Sequence, residues 1–286
     1  MTTDPDTDPQ SAPADTHPTD GSNAFTIGPH VDEVAAMVRS AGRLSLDWYR
    51  NLDLIENKKE AAGAAGYDPV TEADRAVERA LRDALAERFP GHAILGEEFG
   101  ATGDGPYRWI IDPIDGTRAF ITGQPMWGTL LGLQIEGHPV AGWMYQPVLD
   151  ETYVGHGISR LITSSATTRI TVSGTAAVAD AIVLSTDPSM FEPGPEAEAY
   201  ARVADRAKLV RYSGDCVNYG LLALGLVDLV VENQLKDYDI VPLIPIVEGA
   251  GGIITDLDGN LPVDGGYVVA AATEALHAET ISLLRG

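Results

Sequence analysis

The sequence predicts a layered α/β or α+β protein, and three observations carry that expectation. Helical and strand-like apolar segments alternate irregularly, no segment recurs at a fixed period, and 44% of the 286 residues are hydrophobic. That is enough to bury a full core, in one large domain or two packed lobes. Residues 1–23 stand apart: rich in Asp, Thr and Pro, they cannot repay the entropy of ordering and read as a disordered acidic tail. The remainder divides into an N-terminal α+β lobe over 24–158 and a C-terminal α/β lobe over 159–286, with the change at the Thr/Ser-rich residues 160–173.

A first long helix is predicted from Val31, Val34, Met37, Val38, Leu44, Leu46 and Trp48, whose spacing is imperfect. Residues 57–66, Gly/Ala-rich and carrying Lys58 and Lys59, read as a loop. Thr71-Glu72-Ala73-Asp74 has the form of a capping box. Ala73, Val77, Ala80, Leu81, Leu85 and Phe89 then mark one helix face that Pro90-Gly91 ends. Between 93 and 154 the apolar runs shorten and glycines recur, which predicts strands at 109–111, 129–135 and 140–145. Further on, 182–185 and 229–231 read as strands and 196–208, 216–226 and 274–284 as helices. Ile240, Leu243, Ile244 and Val247 form another helix face, with Pro242 and Pro245 tolerated near a first turn.

Charge excludes some functions. Nineteen Lys plus Arg against 42 Asp plus Glu leave a net charge of −23, which repels nucleic acid and anionic membranes. Neither is expected as a partner, and a small anionic substrate needs bound metal to recruit it. Cys216 is the only cysteine, so an intrachain disulfide and a cysteine-based zinc site are excluded. No Lys or Arg precedes Arg39, no early apolar run suggests a secretory signal, and the apolar run at 221–231 is short and broken by Asp228. A cytoplasmic protein is expected. His92, His138, His156 and His277 read as surface or turn residues without metal-ligand spacing. Ser185 and Ser213 lack a nucleophile elbow.

The most informative stretch is Trp109-Ile110-Ile111-Asp112-Pro113-Ile114-Asp115-Gly116-Thr117. It places two carboxylates at the mouth of an apolar strand that Pro113 is expected to stop. Asp115-Gly116-Thr117 then reads as a helix start with free N–H groups for an anion. Oxygen-rich clusters suit hard divalent ions such as Mg²⁺, which share their sites with water and phosphate. A plain turn, with Asp112 capping and Asp115 solvated, is the competing reading. Glu97 and Glu98 end another apolar run, 93–96, and Asp239 heads an apolar helix far downstream.

Together with Gly96-Glu97-Glu98, the late Tyr238-Asp239 and Gly249-Ala250-Gly251-Gly252, this block resembles the inositol monophosphatase family of Mg²⁺-dependent phosphomonoesterases, over roughly residues 30–280. The resemblance implies an α-β-α-β-α sandwich of the inositol monophosphatase and fructose-1,6-bisphosphatase type, and a homodimer. It implies that Glu97, Asp112 and the Ile114 carbonyl bind one Mg²⁺ and that Asp112, Asp115 and Asp239 bind a second, with a third ion near Glu97. It further implies that Thr117 and Glu97 orient the attacking water, that Gly116 and Thr117 hold phosphate, and that Asp74 holds a water and a lysine, Lys58 or Lys59, near the metals. For Asp74 a plain capping role competes.

Substrate choice must come from elsewhere. Asp215 is one candidate and Glu232, which stands where the resemblance implies an inositol-contacting acid, the other; a negative pocket beside the phosphate would favour a substrate with an amine. A helix N-cap for Asp215 and a solvated strand end for Glu232 are the competing structural roles. Residues 67–74, 117–123 and 211–216 look most like the histidinol-phosphatase branch. Hydrolysis of L-histidinol phosphate is therefore the leading expectation, with inositol 1-phosphate, or a broad range of sugar and nucleotide phosphates, as the alternative and a silent binding protein of the same fold as a rival. Arg118 is left outside the expected site.

Overall fold

The structure, a computed structural model, describes residues 25–51, 55–57 and 69–286. The expected tail of residues 1–23 and the expected loop lysines Lys58 and Lys59 lie outside the described residues. A short antiparallel pair, β1 (Ile55–Asn57) and β2 (Pro69–Thr71), precedes the two main sheets.

The first sheet contains β3 (Ala93–Gly96), β4 (Gly100–Thr102), β5 (Tyr107–Asp115), β6 (Gly128–Ile135), β7 (His138–Gln146), β8 (Glu151–His156), β9 (Ile158–Ile162) and β10 (Thr167–Arg169). Its order is β10-β9-β8-β7-β6-β5-β3-β4, antiparallel except for the parallel β3–β5 pair. The chain passes to the second sheet after Arg169. That sheet contains β11 (Ile182–Ser185), β12 (Leu209–Tyr212), β13 (Leu229–Leu235), β14 (Ile253–Thr255) and β15 (Gly266–Ala271), in the order β12-β11-β13-β15-β14.

Helices fill the spaces on either side. α1 (Val31–Arg43) and α2 (Glu72–Arg88) bury Val34, Val38, Val77, Leu81 and Leu85 against Trp109, Ile111, Leu131 and Trp143. Their apolar residues recur at three- and four-residue intervals, so each helix has one greasy face. The adjacent residues Leu130 and Met144 point to the opposite side, as strand geometry requires. There they meet α5 (Cys216–Ala223) and α7 (Ile244–Gly249), which also pack on Val230, Val268 and Ala270 of the second sheet. Leu229, Val231 and Val269 face the outer layer of α4 (Pro195–Ala204) and α8 (Glu274–Arg285). The five layers run α-β-α-β-α, as the resemblance implied. Among the described residues, no helix is long and apolar enough to cross a membrane.

The structure corrects several expectations. Pro113 does not end its strand: β5 runs on to Asp115, with a register shift between Asp112↔Leu130 and Asp115↔Gly128. The bulge lets proline sit in a central strand without breaking the ladder. The first helix gives way at Leu44 to a 3₁₀ turn, Leu44–Asp47. The single helix expected around Ile240 and Val247 is two, α6 (Asp237–Ile240) and α7.

The break around Pro242 has a partner in the sheet. Gly132, Gly142 and Gly155 stand abreast on β6, β7 and β8. A Cβ on Gly142 would overlap the Pro242 carbonyl oxygen and one on Gly155 the Pro245 carbonyl oxygen, while one on Gly132 would lie 3.2 Å from the Pro242 Cα. Three missing side chains thus form a trough for the connection between α6 and α7 and for the first turn of α7, beside the contacts of α6 with β5 and β6.

Candidate active site

The end of β5 and the start of α6 bring three carboxylates together. One oxygen each from Asp112, Asp115 and Asp239 lie within 4.8 Å of one another. Backbone amides aim all three, two from neighbouring residues and one from a distant helix start. Ile114 N–H donates to Asp112 Oδ1 at 3.1 Å, Cys216 N–H to Asp115 Oδ2 at 2.5 Å, and Lys236 N–H to Asp239 Oδ2 at 2.7 Å. The Thr129 hydroxyl holds the Pro113 carbonyl at 2.8 Å, and the Thr117 hydroxyl donates to the Ile114 carbonyl at 3.0 Å.

Glu97 reaches the same place from the turn after β3. Its backbone N–H bonds the Ile111 carbonyl, and buried Glu78 of α2 accepts the next two amides, Glu98 N–H at 2.7 Å and Phe99 N–H at 3.2 Å. Gly96 has no Cβ because one there would overlap the Glu78 carboxylate. The position of Glu97 thus depends on Glu78, which sequence reasoning missed: an acid in an amphipathic helix reads as solvated until a distant turn covers it. Asp74 is buried on α2, close enough to Asp112 to help push its carboxyl up.

A cavity of about 270 Å³ opens over these groups. Its lining includes Glu97, Asp115, Gly116, Thr117, Asp215, Glu232 and Asp239, all expected from the sequence, together with Thr186, Tyr219 and Arg118, which were not. Arg118 is the only basic residue among the described lining residues, against five carboxylates. Ile114 is fully buried and does not line the cavity; its carbonyl takes the Thr117 hydroxyl. Gly116, at φ 86°, turns the chain into the short helix α3 (Thr117–Ile121), and a Cβ there would crowd the Met126 carbonyl at 2.8 Å.

Burial and mutual repulsion dominate the electrostatics. Desolvation, then Glu97, Asp115 and Asp239, push the Asp112 carboxyl well above its ordinary value. Desolvation and Asp215 raise Asp115 to about 8, and desolvation and Asp115 raise Asp239 to about 7. Burial and Glu232 raise Asp215 to about 7, against the pull of Arg118. Carboxylates crowded out of water in this way call for a cation. Every donor in the cluster is a hard oxygen, and the Cys216 thiol is pushed up by burial and Asp115, away from the thiolate form. The cluster fits a hard divalent ion.

The competing structural roles separate. Asp215 stands at the N-cap of α5, yet its side chain makes no capping bond. Glu232 is no solvated strand end: it is 1% exposed. His92, expected at the surface or in a turn, follows the turn after α2, is half-buried and accepts a hydrogen bond from Trp109 Nε1 at 3.1 Å.

A model of the inositol monophosphatase family matches residues 30–286. The bifunctional phosphatase IMPL2, chloroplastic, of Arabidopsis thaliana is 38% identical over 87% of this chain and 73% of its own length. A histidinol-phosphatase of Chlorobaculum parvum is 32% identical over 90% of this chain and 96% of its own. Among solved structures, an inositol monophosphatase from Zymomonas mobilis superposes with a TM-score of 0.79 at 33% identity, covering 92% of this chain and 100% of that one.

Proposed function

This chain belongs to the inositol monophosphatase family and is a phosphoric monoester hydrolase, and we propose that its substrate is L-histidinol phosphate. The observation that carries the choice is the Asp215 carboxylate beside the metal-fitting cluster, with buried Glu232 behind it. Histidinol phosphate presents an ammonium group there, whereas an inositol phosphate presents only hydroxyls.

Glu97, Asp112, the Ile114 carbonyl, Asp115 and Asp239 would hold two or three Mg²⁺, which supply charge relief for the phosphate and lower the pKa of bound water. The chain's own groups do the rest. Gly116 and Thr117 present backbone N–H groups to the phosphate oxygens where α3 begins. The Thr117 hydroxyl, committed as donor to the Ile114 carbonyl, keeps its lone pairs for a water proton, and with Glu97 it orients that water for in-line attack. Asp74, whose charge adds to the repulsion on Asp112, would hold a lysine and a water near the metals, as its family counterpart does. Arg118 draws Asp215 toward its charged form, the form that meets an ammonium.

Inositol 1-phosphate is the second reading, favoured by the likeness to the Zymomonas mobilis enzyme. Purified protein with Mg²⁺ decides between them. The value of kcat/KM is expected to be about tenfold or more higher on histidinol phosphate than on inositol 1-phosphate. Equal or faster turnover of inositol 1-phosphate rejects the proposal. Asp215→Asn is expected to cost histidinol phosphate turnover about tenfold, mainly through KM. Unchanged kinetics would remove Asp215 from substrate recognition.

A further inference from the structure

Glu232 faces the cavity, but most of its acceptor capacity is already taken. Its Oε1 accepts from Thr186 N–H at 2.9 Å, the Thr186 hydroxyl at 2.7 Å and Asn218 Nδ2 at 3.2 Å, and its Oε2 accepts from the Tyr219 hydroxyl at 2.9 Å. An ionised carboxylate has roughly four lone-pair sites, so three donors crowded on Oε1 and one on Oε2 leave about one site for a ligand.

The next bond in the chain is directional. A carboxylate only accepts, so the Thr186 hydroxyl must donate to Glu232, and its lone pair is left to accept from Asp215 N–H at 2.9 Å. The Thr186 carbonyl takes Ser213 N–H at 2.9 Å. Thr186 therefore fastens both ends of the turn from Ser213 to Asp215. That turn needs fastening: Ser213 lies at φ 71° and Asp215 at φ 45°, conformations that side-chain-bearing residues occupy at a cost. Asn218, bonded to Glu232, packs against Gly214 so closely that a Cβ there would overlap its amide.

We infer that Glu232 is a positioning residue, acting through Thr186 to aim the Asp215 carboxylate into the cavity, and that Asp215 is the acid that meets the substrate's cation. The inference rests on the ammonium-bearing substrate proposed above. It assigns specificity to the geometry of one turn, and it separates two acids that line the same wall.

The test compares Thr186→Val, Thr186→Ser, Glu232→Gln and Asp215→Asn. The readout is kcat/KM on L-histidinol phosphate divided by kcat/KM on p-nitrophenyl phosphate, which carries no amine. Thr186→Val removes the link and is expected to lower the ratio about tenfold, mainly through KM, as Asp215→Asn does. Thr186→Ser restores it. Glu232→Gln keeps an acceptor for Thr186 and offers an amide to the Tyr219 oxygen, so its ratio stays within about threefold of the parent. If Glu232→Gln loses as much as Asp215→Asn, its charge meets the substrate directly and the inference is overturned. A Thr186→Val ratio equal to the parent's overturns it too. Crystal structures of the variants give a reading independent of substrate: the Asp215 turn moves in Thr186→Val and stays in Thr186→Ser and Glu232→Gln. An unmoved turn in Thr186→Val contradicts the positioning role. A parent ratio near one with a displaced turn rejects histidinol phosphate and leaves the positioning role standing.

Discussion

Asp112→Asn is expected to lower Mg²⁺-dependent phosphate release by on the order of a thousandfold or more, with the fold intact. Asp112 lies at the centre of the acidic cluster, is 1% exposed, and feels the charges of Glu97, Asp115, Asp239 and Asp74 at once. Asparagine is nearly the same shape, and its carbonyl can still accept the Ile114 N–H that orients the side chain. Only the charge goes. Removing one of several crowded like charges relieves repulsion, so the metal-free variant should melt at or above the temperature of the parent. Loss of turnover without loss of stability would mark Asp112 as part of the machinery rather than the scaffold. Phosphate release and calorimetric melting of the same preparations check both halves. Activity within tenfold of the parent would remove Asp112 from the site.

Gly142→Ala should be the most damaging small change outside the cavity. The added methyl would overlap the Pro242 carbonyl oxygen, and because that obstacle is backbone, no side chain can rotate away. We expect a cost of about 3 kcal/mol or more, at the upper end for overpacking, and a turnover loss of about a hundredfold as α6 and Asp239 are pushed off the cluster. Gly174→Ala is the control, since nothing lies within 4 Å of a Cβ there. A Gly142→Ala protein that melts and turns over like the Gly174→Ala control would show that the glycine trough does not set the position of Asp239.

Some of this architecture was legible because its causes are local. Asp112, Asp115, Gly116 and Thr117 adjoin one another, so a strand end, a turn and a helix start could be read from nine residues. The partners of the distant acids could not be read that way. Glu78 bonds amides about twenty residues on, and Thr186 meets Glu232 across the second sheet; only β-pairing and layer packing create those contacts. Arg118 was set aside because a single arginine on a short helix carries no periodic signal, yet that helix places it on the cavity rim. Pro113 misled through a sound rule: proline interrupts a ladder, but here a bulge absorbs it where the chain needed to re-aim two carboxylates. The glycines of β6, β7 and β8 read only as strand punctuation. Their alignment across three strands depends on register, which sequence does not display.

The central claim is that a divalent cation compensates the crowded carboxylates of Asp112, Asp115 and Asp239. Melting temperature as a function of pH, with EDTA or with Mg²⁺, tests it most directly. Asp115 at about 8 and Asp239 at about 7 lie above the ordinary aspartate value of 3.8 that they regain on unfolding. Between those limits the folded state binds more protons than the unfolded one, so stability must fall as pH rises from about 4 to 8. In EDTA the melting temperature is expected to drop by several degrees over that range. Mg²⁺ should restore it at pH 8 and do little at pH 5, while Asp112→Asn responds weakly. Because the chain carries a net charge of −23, NaCl at matched ionic strength separates binding from screening. If the parent responds equally to Mg²⁺ and NaCl, or melts at the same temperature across the pH range, the acidic cluster is not a cation site and the account fails.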